Sequence, residues 1–175
     1  MTVVRVMKAS EIARIAEIDR SERITQMYRQ RGSSLLVVDV DIDAPRWGEP
    51  GEETIEHRIE EWTRLTRAGG VLIGAFDVDR LIGFAIYVKA SAKGPAQLAV
   101  LHVSRPFRRH GIGCALTSEV TRLARSDGSQ RLYVSATPTR GTVEFYMSQG
   151  FEPVAVPDER LFALEPDDIH MEYVI

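Results

Sequence analysis

The apolar positions at the start of the chain follow strand spacing first and helical spacing afterwards. Thr2–Val6 is rich in β-branched residues, which is typical of a strand. Ser10 stands just before Ile12 and Ile15, which recur at helical spacing, and a near continuation of that spacing covers Ser21–Arg31. Because serine is a favoured helix N-cap, the pattern predicts a strand followed by two helices.

The next segment has the pattern of a strand, a loop and a helix. Ser33–Val40 contains a short β-rich run, and prolines and glycines over residues 45–51 mark a loop. Between Glu52 and Arg67 the apolar residues fall on one helical face, namely Ile55, Ile59, Trp62 and Leu65. Gly69 and Gly70 follow this predicted amphipathic helix and end it.

The remaining pattern predicts a mixed sheet. Val71–Asp77 and Leu81–Lys89 are joined by only three residues, so they must pair as an antiparallel hairpin. Further strands are predicted at about 96–103, 131–136, 151–156 and 169–174, with helices at about 111–126 and before Gly150. Since no linker or repeat interrupts this order, we expect a single domain over residues 1–175, of the α/β class with mixed α+β character.

Composition narrows the functional classes. The chain has 175 residues, 44% of them hydrophobic, and a formal net charge of -3. Such a domain needs no metal or disulfide to stabilise its core, and its charge argues against a nucleic-acid partner. No apolar run approaches the roughly 20 residues of a membrane span, and we expect no membrane partner and a cytoplasmic location. The single cysteine, Cys114, excludes an internal disulfide and is expected to fill space as a small apolar residue.

A predicted strand leads into a basic, glycine-containing turn at the start of a helix. Arg108, Arg109 and His110 precede Gly111 and Gly113. Amides at a helix N-terminus lack partners and carry the positive end of the helix dipole, so they bind phosphate groups. Glycine permits a tight turn there and keeps side chains away from the anion. The expected ligand is a small molecule that contains phosphate.

Two common nucleotide motifs do not fit this turn. A Walker loop ends in Gly-Lys-Ser or Gly-Lys-Thr, and no such ending is present. A dinucleotide-binding loop needs a third glycine where this chain has Leu116, and an acidic residue where the next strand ends in Ser135-Ala136. The phosphate ligand therefore belongs to another class.

Three motifs together resemble the GNAT N-acetyltransferase superfamily. Arg108, Gly111 and Gly113 match its acetyl-CoA signature, and Leu101-His102-Val103 matches the strand before it. Downstream, the stretch 145–151, Phe-Tyr-Met-Ser-Gln-Gly-Phe, is similar to the family's Phe-Tyr-x-x-x-Gly-Phe. The resemblance implies a mostly antiparallel central sheet flanked by helices, with a strand-loop-helix insertion before the central hairpin.

The resemblance also implies a cofactor site. Acetyl-CoA would be the co-substrate, and no metal is expected. The amides of Arg109–Cys114 would hold the pyrophosphate, and main-chain groups of Leu101–Val103 would bind the pantetheine arm. The residues implied in cofactor binding are Leu101, His102, Val103, Arg108, Arg109, His110, Gly111, Ile112, Gly113, Cys114, Thr139 and Tyr146. Thr139 stands where many relatives have asparagine, and it can still cap the next helix.

Two residues are candidates for proton transfer. Tyr146 is the candidate general acid, because a phenol of ordinary pKa about 10 is protonated at neutral pH and can donate to a thiolate. Many GNAT enzymes carry a glutamate base where this chain has Gln97. His102 is a possible base, and a water relay or an acidic residue such as Glu22 is an alternative, so the base is left unassigned.

The preferred hypothesis is transfer of an acetyl group from acetyl-CoA to a primary amine by direct attack in a ternary complex. The amine can belong to a small molecule or to a protein, since the acceptor pocket would come from residues 21–31, 35–67 and the late strands. The alternatives are a non-catalytic CoA-binding or sensing module and a phosphate-binding structural domain. The last strand can pair across a homodimer or simply close the sheet.

Overall fold

A computed structural model describes residues 2–32, 34–48, 54–92 and 94–175 of the chain. The strands are β1 (Thr2–Val6), β2 (Glu22–Arg31), β3 (Ser34–Ala44), β4 (Val71–Asp77), β5 (Arg80–Val88), β6 (Ala96–Val103), β7 (Arg131–Ala136), β8 (Glu152–Pro153) and β9 (Ile169–Val174). The α-helices are α1 (Ile55–Arg67), α2 (Ile112–Ser126), α3 (Arg140–Ser148) and α4 (Glu159–Leu164). Short 3-10 helices cover Ala9–Glu17 and Arg105–Phe107.

Seven strands form the central sheet in the order β1-β4-β5-β6-β7-β9-β8. The β6–β7 pair is parallel, and the other neighbours are antiparallel. The crossover from β6 to β7 runs through α2, as a parallel connection requires. This arrangement confirms the predicted mixed, mostly antiparallel sheet flanked by helices.

Apolar residues cover both faces of the sheet. On one face, α2 and α3 pack on the sheet through residues such as Leu116, Val120 and Val143, which are fully buried. On the other face, the first 3-10 helix and α1 contribute Ile15 and Trp62 to a second cluster. Burial of both faces explains why β4 and β5 read as continuous apolar runs rather than alternating ones.

The predicted second helix at Ser21–Arg31 is wrong. Residues 22–31 form β2, which pairs with β3 in a separate two-stranded ribbon. Gly32 adopts a left-handed conformation (φ +59) between the two strands. Because β3 is not part of the central sheet, its main-chain groups need another partner, and β2 supplies it. This local pairing outweighs the helical spacing of the side chains.

Other boundaries differ less from the prediction. The first helix is a 3-10 helix with Lys8, not Ser10, at its N-cap, where the Glu11 carboxylate accepts from the Lys8 amide at 2.8 Å. The predicted strand at 151–156 is reduced to the two residues of β8. Parts of the predicted loop at 45–51 and the predicted helix start at Glu52 lie outside the described residues.

The last strand lies inside the sheet. β9 pairs with β7 over its whole length and with β8 at Glu172 and Met171. This position agrees with closure of the sheet, and the predicted role of this strand in a homodimer stays a prediction.

Gly74 lies on β4, and the side chains of Met7, Phe76 and Leu81 surround it. A Cβ at this position would lie 2.6 Å from Met7 Sδ and 2.7 Å from Phe76 Cε2. We expect Gly74→Ala to lower the free energy of unfolding by about 1–3 kcal/mol, because a packed core must shift to admit the methyl group. Urea denaturation measures this change.

The matched control is Gly141→Ala on α3, where nothing lies within 4 Å of the added Cβ. This variant is expected to be neutral or slightly more stable, since alanine favours a helix over glycine. Equal destabilisation of the two variants would contradict the packing argument.

Candidate active site

A gap opens in the sheet between β6 and β7. Their parallel pairing covers Ala96 with Leu132 and Gln97 with Tyr133, and it stops there. Beyond this point β6 keeps its pairing with β5, and β7 keeps its pairing with β9. A bulge at Ala99, where Ile86 pairs with Val100 and Tyr87 with Leu98, bends β6 at the place where the gap begins. The facing edges of the two strands therefore offer main-chain groups to a ligand.

The turn between β6 and α2 has free main-chain amides. Within the described chain, the main-chain amides of residues 109–114 donate no hydrogen bond, and the first helical bond of α2 runs from Ala115 to Gly111 at 3.0 Å. These amides lie at the N-terminus of a helix of 15 residues. The helix dipole and the free donors together suit an anion, and the predicted binding of a phosphate group here stays a prediction.

The backbone conformation of the turn explains its glycines. Gly111 is the N-cap of α2 with φ +79, and Arg109 is also left-handed with φ +65. Gly113 packs against α3, since a Cβ there would lie 3.1 Å from two carbons of the Phe145 ring. Gly111 thus serves the tight turn, and Gly113 serves the contact between two helices.

The Arg108 side chain points away from the free amides. Its Nε donates to the Val103 carbonyl at 3.1 Å, and its Nη2 donates to the Arg20 carbonyl at 3.0 Å. Its Nη1 lies 3.4 Å from a carboxylate oxygen of Glu22. Arg108 therefore ties the end of β6 to the segment before β2, a structural role that the motif alone did not indicate.

Two other predicted residues of the turn are exposed to solvent. Arg109 is exposed, and the His110 Nδ1 lies 2.7 Å from the Arg108 carbonyl oxygen. Cys114 is also exposed, so the prediction that it fills space in the core is wrong. The reason is its position in the first turn of α2, where Ile112 and Leu116 face the core instead.

Tyr146 lies on α3, the helix that follows β7, and is 5% exposed. Its ring contacts Phe145 and Phe151, with centroids 5.3 and 5.4 Å away. Burial raises the pKa of Tyr146 above its ordinary value, and the charge of Asp168 raises it further. Its hydroxyl makes no hydrogen bond to any described residue. The phenol is therefore protonated at neutral pH and free to donate.

His102 lies on β6 among aromatic rings. Its ring centroid is 5.5 Å from that of Trp47, 5.8 Å from that of Trp62 and 5.5 Å from that of Phe84. Burial lowers the pKa of His102 to about 4, and the positive charge of nearby arginines, Arg20 foremost, acts in the same direction. A histidine with this pKa is a weak proton acceptor. No sequence pattern indicates that Trp47 packs against His102, because Trp47 lies in a loop without apolar periodicity.

The other residues predicted on β6 and before α3 make contacts that are ordinary for a strand or a helix cap. Leu101 and Val103 are half-buried on β6, and Gln97 is the last residue of the parallel pairing. Thr139 is buried and caps α3, accepting from the Thr142 amide at 3.3 Å, which confirms the predicted cap.

The ribbon formed by β2 and β3 borders the site. The Tyr28 amide donates to the Pro138 carbonyl at 2.7 Å, and Met27 forms a bridge with Thr139. An open cavity of about 300 Å³ lies between β2 and the start of α3, lined by Glu22, Arg23, Ile24, Thr25, Gln26, Thr139, Arg140, Gly141 and Glu144. Residues 22–31 thus lie beside the start of α3 as a strand, and their predicted part in an acceptor pocket stays a prediction.

Asp168 is a further residue at the site that the sequence did not indicate. It is half-buried directly before β9, whose first residue, Ile169, pairs with Ala136 at the end of β7. Burial raises the pKa of Asp168 to about 7, and Glu165 and Asp167 contribute. No motif marks this aspartate, and only the sheet register brings it near Tyr146.

Comparisons with known proteins agree with this geometry. The sequence matches the acetyltransferase (GNAT) family over residues 37–151. Because this match spans more than half of the 175 residues, the chain belongs to that family and is an acyltransferase. No curated protein sequence matches the chain significantly.

Solved structures share the whole fold at low sequence identity. Nourseothricin acetyltransferase is 18% identical, with 99% of this chain and 98% of that chain covered and a TM-score of 0.73. A putative streptothricin acetyltransferase from Bacillus anthracis str. Ames, in complex with acetyl coenzyme A, is 16% identical, with 100% and 99% covered and a TM-score of 0.73. The ribosomal-protein-S18-alanine N-acetyltransferase from Escherichia coli is 16% identical, with 100% and 94% covered and a TM-score of 0.64.

Over residues 2–32, 34–48, 54–92 and 94–175, no group of three or more His, Cys, Asp or Glu side chains is arranged to hold a metal ion. In the same ranges, no helix has both the length and the apolar character that crossing a membrane requires.

The contacts of Arg108 generate a prediction about stability. Arg108→Ala removes the donors to two carbonyls and the partner of Glu22, and we expect the free energy of unfolding to fall by about 1–3 kcal/mol. The measurement is urea denaturation of the protein without ligand. Arg109→Ala, one residue away and exposed, is the control and is expected to change stability by less than about 0.5 kcal/mol. The interpretation fails if the two variants are equally stable.

Proposed function

We propose that this protein transfers an acetyl group from acetyl-CoA to a primary amine by direct attack in a ternary complex. The observation that carries the proposal is the gap between β6 and β7: β6 leads to the free amides before α2, and β7 leads to α3, which carries Tyr146. A CoA thioester has a pyrophosphate at one end and a reactive carbonyl at the other. The free amides suit the pyrophosphate, and the Tyr146 hydroxyl suits the thioester.

The pyrophosphate would bind to the amides of residues 109–114. Their free N–H groups and the helix dipole suit a doubly charged anion, and the exposed Arg109 adds positive charge. The pantetheine arm would run along the open edge of β6, where main-chain groups of Leu101–Val103 lack a partner on β7. A main-chain amide of that edge would donate to the thioester oxygen and stabilise the charge that develops on it.

Tyr146 would supply the proton that the leaving thiolate needs. The raised pKa of its phenol keeps the proton on oxygen at neutral pH, whereas a CoA thiol has an ordinary pKa of about 8.5. The thiolate is a poorer leaving group than the thiol, so donation at this step lowers the barrier. Because His102 has a pKa of about 4, we do not give it the role of base in this scheme.

The acceptor would enter beside the ribbon of β2 and β3, where the open cavity lies. Both small-molecule and protein amines fit this hypothesis. The names of similar structures include an antibiotic acetyltransferase and a ribosomal-protein acetyltransferase, and these names support the two options equally.

A second candidate function is a CoA-binding module without turnover. It is favoured by Gln97, which cannot accept a proton, and by the low pKa of His102. It predicts affinity for CoA together with an absence of transfer.

Thiol release distinguishes these functions. Free CoA is measured with a thiol-reactive dye while acetyl-CoA is incubated with nourseothricin, spermidine or peptides that carry a free N-terminal alanine or a lysine. The proposal expects release above the amine-free rate with at least one of these amines. CoA binding with no release from any of them would favour the module without turnover.

Replacing the phenol tests the acid. Tyr146→Phe should lower kcat by about 10²–10⁴-fold, the usual contribution of a general acid, with little change in the KM for acetyl-CoA. Tyr87→Phe is the matched control, because it loses a hydroxyl bonded to Asp127 at 3.1 Å, away from the gap. It should leave kcat unchanged. An active Tyr146→Phe variant would show that the thiolate needs no proton from this residue.

A further inference from the structure

The proposed reaction needs a group that takes a proton from the amine, and most carboxylates near the gap are already paired. Glu22 lies 3.4 Å from Arg108, and Asp19 lies 3.1 Å from Arg46. Glu144 lies 2.6 Å from Arg140 and accepts from the Tyr28 hydroxyl at 3.2 Å. Hydrogen bonds from Ser21 to Asp19 and from Arg140 to Glu144 hold the pKa values of these two carboxyl groups below their ordinary range, so both are poor proton acceptors.

Asp168 differs from these carboxylates. Among the residues that the structure describes, its side chain has no cation and no hydrogen-bond donor, and the residue is half-buried. Its main-chain amide donates to the Glu165 carbonyl at 3.2 Å, which holds the residue in place before β9. A half-buried carboxyl group without a partner is costly to the fold, and such groups cluster at functional sites.

The sheet register brings Asp168 to the mouth of the gap. Ile169 and Ala136 are the last pair of β9 with β7, so Asp168 stands beside the end of the strand that borders the gap. The Asp168 charge acts on the Tyr146 phenol, whose side chain is more than nine-tenths buried and whose hydroxyl has no partner in the described chain. An unpaired acid thus lies beside the end of β7, and an unpaired phenol lies on α3, the helix that follows β7.

We propose that Asp168 binds the ammonium form of the acceptor beside Tyr146 and takes the proton that the amine must lose before it attacks. This inference rests on the proposed function. It adds the identity of the group that takes the proton, and it requires that the amine substrate be cationic when it binds. An ammonium group supplies both the positive charge and the donors that Asp168 lacks in the free protein.

The proton balance of the step is complete. The ammonium gives one proton to the Asp168 carboxylate, and the neutral nitrogen forms a bond to the thioester carbon. The carbon–sulfur bond then breaks, and the thiolate takes the phenol proton of Tyr146. The nitrogen loses its second proton to the Tyr146 phenolate, and the Asp168 carboxyl releases its proton to solvent. One proton leaves overall, together with the amide and CoA as thiol.

The closing experiment compares Asp168→Asn with Asp167→Asn in the thiol-release assay, using the amines named above. Asp167 is exposed, so this control makes the same chemical change one residue away. Asp168→Asn should lower kcat/KM for the amine by about 10²–10⁴-fold at pH 7 and leave the KM for acetyl-CoA unchanged. Asp167→Asn should stay within about twofold of the wild type.

The pH profile separates a proton acceptor from a merely structural residue. The charged and titratable groups that act on Asp168 are Glu165, Asp167 and the Tyr146 phenol. With the pKa of Asp168 near 7, wild-type kcat/KM should rise with pH to a midpoint close to that value, and Asp168→Asn should lose this rise.

A stability readout is independent of any substrate. The pKa of Asp168 is raised in the folded state, so ionisation of this carboxyl costs stability as the pH rises from its ordinary pKa of about 3.9 to about 7. The neutral Asp168→Asn variant avoids this cost. Its Tm should exceed that of the wild type by a few degrees at pH 8, and the difference should shrink towards pH 4.

The outcomes are distinguishable. Turnover that survives unchanged in Asp168→Asn, or equal Tm values at pH 8, would overturn the role of Asp168 while the proposed acetyl transfer stands. Absence of turnover in the wild type with every amine, despite binding of acetyl-CoA, would overturn the proposed function and this inference together.

Discussion

The site depends on a single break in pairing, the separation of β6 from β7 after Gln97 and Tyr133. A parallel pair that continued to Val103 would satisfy every main-chain group along both strands and leave no room for a ligand. Each strand is instead held by its other neighbour, β5 or β9, so the gap does not unravel the sheet. The bulge at Ala99 lies where the gap begins, and the Arg108 side chain donates to the Val103 carbonyl at the end of β6.

Three kinds of unpaired group meet around this gap. The amides before α2 lack acceptors, the Tyr146 hydroxyl lacks a partner, and the Asp168 carboxylate lacks a cation, all within the described residues. The Asp168 carboxylate is unfavourable in a protein without ligand, because half-buried polar groups are normally paired. In the proposed function these groups would bind the pyrophosphate, protonate the sulfur and bind the amine, which would explain why an unpaired carboxylate is kept.

The sequence predicted the middle of the fold well and its first third poorly. Bounds for β4, β6 and β7 agree because those strands are rich in apolar residues and lie between clear turns. Residues 22–31 were misread because their side chains fit helical spacing, while their pairing with β3 depends on a partner that no local pattern reveals. The glycines predicted the turn at 108–113. The contact of the Arg108 side chain with the Val103 carbonyl is a tertiary contact, and the position of Asp168 beside the end of β7 follows from the sheet register, so no local pattern indicates either.

The most direct test of the account is to record which main-chain amides respond to CoA. In a titration of the isotope-labelled protein with CoA, followed by NMR, the amides of residues 109–114 and of Leu101–Val103 should show the largest shifts. The same titration with inorganic pyrophosphate should move the first group and leave the second unchanged, because only the pantetheine arm reaches the edge of β6. Shifts confined to other surfaces, with both segments unmoved, would contradict the claim that the gap between β6 and β7 is the cofactor site.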